Sequence, residues 1–124
     1  MVAACATIVE LVPVSYRFVD DPANREFRLS FRNTTRHSLC LNPEDWPNAA
    51  GKINQASDRV AIIIGDRRFP IQDFNTGYCI GGCPIRVRPG EEVAASISYS
   101  DFEIPAALYS SDKRLEFSPH AFRC

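Results

Sequence analysis

From Glu26 to Arg32 polar and apolar residues alternate without a break, with Phe27, Leu29 and Phe31 on one side and Glu26, Arg28, Ser30 and Arg32 on the other. A period of two predicts a strand with one dry and one wet face. Val93 to Tyr99 repeats the pattern, which places Val93, Ala95, Ile97 and Tyr99 inward and Ala94, Ser96 and Ser98 outward. Leu115 and Phe117 give a shorter instance. Val60 to Ile64 is apolar throughout, as expected of a strand covered on both faces. Turn-forming residues punctuate these runs at Asp20-Asp21-Pro22, Asn33-Thr34-Thr35, Gly65-Asp66, Gly81-Gly82 and Pro89-Gly90. Their spacing predicts about eight strands in an antiparallel sandwich or barrel.

Two short helical turns are expected between strands. Asn42 can cap one, with Pro43 at its first position and Glu44 and Asp45 at the positive end of its dipole, while Pro47 and Gly51 keep it short. The other is expected around Ala106 to Tyr109, where Pro105 limits its start.

The chain has 124 residues, 45% of them hydrophobic, with no internal repeat and no linker, so one domain over 1–124 is expected. Residues 1–4 are read as a signal-peptide remnant or a tag. No apolar run approaches the ~20 residues of a transmembrane helix. A formal net charge of -1 supplies no overall field for nucleic acid. Twelve Arg stand against two Lys, a bias that fits bidentate contacts to carboxylates and equally a GC-rich genome. Five cysteines in so short a chain point to an oxidising compartment.

Val87 through Pro89-Gly90-Glu91 to Tyr99-Ser100-Asp101-Phe102, with Phe27 to Asn33, resembles strands of bacterial immunoglobulin-like β-sandwiches over about half the chain. The resemblance implies a fold and no site. Val2-Ala3-Ala4-Cys5 resembles the lipobox of bacterial lipoproteins, which implies lipidation of Cys5 and an anchor in the envelope; otherwise Cys5 pairs or lies buried in a first strand. Setting Cys5 aside leaves an even number of thiols, and two disulfides are expected among Cys40, Cys79, Cys83 and Cys124.

Tyr78-Cys79-Ile80-Gly81-Gly82-Cys83 is the most distinctive segment. A Cys79–Cys83 ring would contribute only about 2 kcal/mol by loop entropy, so its effect would be to stiffen a loop more than to hold the fold. In the alternative pairing, Cys79 and Cys83 each join Cys40 or Cys124. Zinc on these four cysteines with His37 and His120 is disfavoured by the scattered spacing. No nucleophile elbow, phosphate-cradling loop or His-Glu-x-x-His motif occurs, so neither an enzyme nor a cofactor is expected.

Trp46 has two readings, an exposed binding anchor or a lid over the core. Arg86 and Arg88 would form a basic patch with Arg28 and Arg32 if their strands are neighbours. Asn33-Thr34-Thr35 also matches the glycosylation sequon. These features predict a periplasmic or secreted protein that binds another protein, with contacts from Tyr78, Ile80, Gly81, Gly82, Trp46, Arg86 and Arg88. The sharper expectation is an inhibitor or immunity protein acting on a hydrolase or toxin. Alternatives are an accessory module of an envelope assembly with the Arg-bearing face as its contact, a carbohydrate-binding module, or a small metal or redox protein.

Overall fold

The period-two segments become strands, and tertiary contacts recruit others too short to show a period. A computed structural model describes residues 10–54, 58–74 and 84–124. In chain order the strands are β1 (Leu11–Pro13), β2 (Tyr16–Asp21), β3 (Glu26–Arg32), β4 (Leu39–Leu41), β5 (Ala61–Ile64), β6 (Arg67–Pro70), β7 (Ile85–Val87), β8 (Glu92–Ser98), β9 (Arg114–Glu116) and β10 (His120–Arg123). They form three antiparallel sheets, ordered β1-β10-β4-β7, β2-β3-β8 and β6-β5-β9. The fold is an all-β sandwich, with ten strands among the described residues where about eight were expected. Four of the ten have only three residues, a length at which no periodicity can be read.

In β3 the buried residues are Phe27, Leu29 and Phe31, as the alternation predicts. They join Ile97 of β8, Leu39 and Leu41 of β4, Val87 of β7 and Ile62 of β5 in one hydrophobic cluster. Each such side chain stabilises the fold by about 1.5–3 kcal/mol when fully buried. Trp46 belongs to the same cluster at 1% exposure, with its ring edge-on to Tyr16 and Phe31. It is therefore a core residue, and the exposed-anchor reading is corrected.

The expected helix at Asn42 is a single turn. The N–H groups of Asp45 and Trp46 both donate to the Asn42 carbonyl. Pro47 has no N–H to continue the ladder, and the Pro43 carbonyl accepts from Asn54 N instead. At the other predicted place a 3-10 turn spans Ala106–Leu108. Strand β8 stops one residue earlier than expected. Ser98 Oγ accepts from Ser100 N and starts a 3-10 turn, Tyr99–Phe102, that keeps Tyr99 buried.

Asn33 is fully buried and its side chain is saturated. Its Nδ2 donates to the carbonyls of His37 and Val87, and its Oδ1 accepts from the Thr35 N–H and hydroxyl. The sequon is thus a structural turn that leaves no room for a glycan in the folded chain.

Beneath β2 lies a polar network. Lys113 has a side chain of 0% exposure, and its ammonium donates to Asp20 Oδ2 at 2.9 Å and to the carbonyls of Tyr109 and Ser111 at 2.6 and 2.9 Å. The Tyr99 hydroxyl donates to Asp20 Oδ1. Burial, and then the bond to Asp20, raise the Tyr99 pKa above the usual phenol value, and burial raises that of Tyr16. A phenol with a folded pKa above its unfolded one stabilises fully below about pH 10, and that stability is lost as pH rises further. Denaturation at stepped pH is expected to show stability falling above pH 10, with a smaller fall in Tyr99→Phe. An equal fall in both proteins would reject Tyr99 as the source.

Candidate functional site

Cross-strand register fixes the outer face of β2-β3-β8 as a grid. Arg17, Ser30 and Ala94 form one row, and Val19, Arg28 and Ser96 the next. Ser30 on β3 and Ala94 and Ser96 on β8 leave a low floor between taller neighbours. The loop Asn48–Gly51 rises beside β8 and closes one side, giving a groove of about 590 Å³.

The wall is held in three ways. Asn48 Oδ1 accepts from the N–H groups of Ala50 and Lys52, and the Asn48 N–H donates to the Lys52 carbonyl. Lys52 then reaches Asp101 at 2.6 Å, tying the loop to the turn after β8. Gly51 has φ +76°, and a Cβ there would lie 2.4 Å from the Ser96 carbonyl oxygen. Only glycine fits this contact, because the left-handed conformation and the close approach both exclude a side chain. Gly51→Ala is expected to cost about 1–3 kcal/mol in stability and to displace the wall from β8. Urea denaturation with amide exchange at residues 48–52 measures both; wild-type values would mean that the loop is not docked.

Electrostatically the groove is mild. Arg28 is occupied by Asp21 and Glu26, and Arg32, one row away, by Glu92. The Arg17 side chain on the far rim makes no ion pair or hydrogen bond among the described residues. Among the described residues, those that line the groove include no aromatic ring.

The structure separates the arginines that the sequence grouped. Arg28 and Arg32 lie on β3, whereas Arg86 lies on β7 and Arg88 just beyond it, in a different sheet. The shared basic patch is corrected accordingly. Cys40 and Cys124 form a disulfide. That bridge removes two of the four thiols considered for zinc. Among the described residues no three His, Cys, Asp or Glu side chains gather where they could share a metal ion. Cys5, Tyr78, Cys79, Ile80, Gly81, Gly82 and Cys83 lie outside the described residues.

No family model, curated protein or solved structure matches this chain.

The groove itself was missed in the sequence, although part of its signal is there. The outward positions Ala94, Ser96 and Ser98 of β8 are all small, where a solvated strand commonly carries charges or long polar side chains. Ala49-Ala50-Gly51 repeats that smallness in the wall.

Proposed function

We propose that this chain is a non-enzymatic protein-binding module, secreted or held in a bacterial envelope, that seats its partner in the groove on the outer face of β2-β3-β8. The observation that carries the reading is the wall, which the chain's own Asn48 hydrogen bonds, the Lys52–Asp101 ion pair and the close Gly51–Ser96 contact hold in place. A preformed groove loses little conformational entropy on binding. The disulfide supports an oxidising compartment, and no helix among the described residues is long and apolar enough to cross a membrane.

Of the functions weighed for the sequence, the groove favours an accessory module that docks through this sheet face. The inhibitor or immunity reading rests on Tyr78 to Cys83 and takes no support from the groove. The two make different predictions. Ala94→Trp fills the floor from an exposed position, so it is expected to preserve the thermal melt and to weaken a partner recovered from the native host at least about tenfold, the equivalent of 1.4 kcal/mol. A partner retained at full affinity would reject the groove and return attention to the Tyr78 to Cys83 loop.

A further inference from the structure

Among the described residues each sheet ends in strands with one unpaired side, and five of the six are short, blunted or covered. Strands β1, β7 and β9 have three residues each, with Pro13 ending β1, and β6 has four and ends at Pro70. Strand β8 is long, but Gly51 sits against its Ser96 carbonyl. That leaves β2, six residues without Pro or Lys, whose only backbone partner among the described residues is β3. Open edges of this length invite pairing with another strand.

The outward residues of β2 read Arg17, Val19, Asp21: positive, apolar, negative. Val19 is 47% exposed, one of two exposed large hydrophobic residues among those described. This order is its own complement when reversed. We propose that two copies of the chain pair through β2, antiparallel, about a two-fold axis at Val19.

In that register Val19 faces Val19 of the second copy, and Arg17 of each copy faces Asp21 of the other. Directly opposed residues in an antiparallel pair share a face, so these contacts all fall on the outer surface. Centring the axis on Phe18 instead would set Arg17 against Val19 and leave both charges unmatched. Parallel pairing would bring like charges together. Asp21 has capacity for the contact: it accepts from Asn24 N on Oδ1, and from Asn24 Nδ2 and Arg28 on Oδ2, leaving one lone-pair position on Oδ1. On the inner face Phe18 would meet Asp20, whose charge Lys113 already offsets. The two-fold closes the assembly at two copies, because each β2 is used once. It also joins the two outer faces into one six-stranded surface carrying both grooves. The pairing does not depend on what occupies them.

Sedimentation velocity from micromolar to millimolar concentration tests the proposal, with a non-reducing denaturing gel to show that the dimer is not thiol-linked. Wild type is expected to dimerise. Arg17→Asp and Asp21→Arg each place like charges at both contacts, so each alone is expected to weaken the dimer at least about tenfold. Mixing the two variants restores opposite charges at both contacts and is expected to give a heterodimer. Circular dichroism melts confirm that both variants fold; if Asp21→Arg does not, Asp21→Asn alone is expected to weaken the dimer to a lesser degree. A wild type that stays monomeric, a covalent dimer, a dimer indifferent to Arg17→Asp, or folded variants that fail to pair when mixed would each overturn the proposal.

Discussion

Lys113→Ala is expected to lose about 3–5 kcal/mol of stability, a large share of what holds a domain of this size. The reason is the completeness of the network it leaves. All three ammonium donors are used, on Asp20 and on the carbonyls of Tyr109 and Ser111, and the side chain is wholly enclosed. Without it, Asp20 is left with only the Tyr99 hydroxyl to bond, and two carbonyls lose a strong donor. Lys113→Met should do little better, because the missing elements are the charge and the donors. Pairing Lys113→Met with Asp20→Asn should recover part of the loss, since removing both charges avoids stranding one of them. Urea denaturation of the two single variants and the double variant measures the coupling. A Lys113→Ala variant within about 0.5 kcal/mol of wild type would mean that water replaces the ammonium and that the network is not closed.

Nothing in the sequence announces Lys113 as a buried residue. It sits beside Asp112 in a polar stretch, and lysine is seldom enclosed without a partner, which here comes from β2, 93 residues away. Legibility fell off in the same way elsewhere. The cores of β3 and β8 could be read because a single wet face writes a period of two into the residues themselves. The groove wall could not. Its position depends on Gly51 meeting a carbonyl of a strand 45 residues later, and a glycine in a loop looks the same whether it docks or floats. Trp46 is a similar case: its polar neighbours suggested solvent, but its ring turns inward onto Tyr16 and Phe31 from strands that local sequence could not place nearby. Arg28 could be read as outward-facing from its alternating strand, and only the sheet order showed that Arg86 belongs to a different surface.

Removing the Cys40–Cys124 bridge is expected to cost about 2–4 kcal/mol. The bridge joins residues 84 apart in sequence, and the loop-entropy expression gives about 4.5 kcal/mol for a closure of that length. The effect should be smaller than that, because β4 and β10 are already neighbours. Phe122 pairs with Cys40, Arg123 with Leu39, and Cys124 N donates to the Ser38 carbonyl. Residual pairing of this kind in the unfolded chain reduces what a crosslink adds. What the bridge protects is β10. Strand β10 lies between β1 and β4, so its fraying would open two ladders of the sheet together. A Cys40→Ala, Cys124→Ala double variant avoids creating unpaired thiols at either position, and its urea midpoint against wild type measures the cost. Cys124 is exposed at the sheet margin, where a reductant can reach it, so reduced wild type should fall to nearly the same midpoint. Agreement between the two would make the fold dependent on an oxidising environment, the physical basis on which a compartment outside the cytosol is proposed. A double variant as stable as wild type would remove that basis, leaving the compartment to be decided by labelling the native protein with a fatty-acid analogue, which Cys5→Ser should abolish.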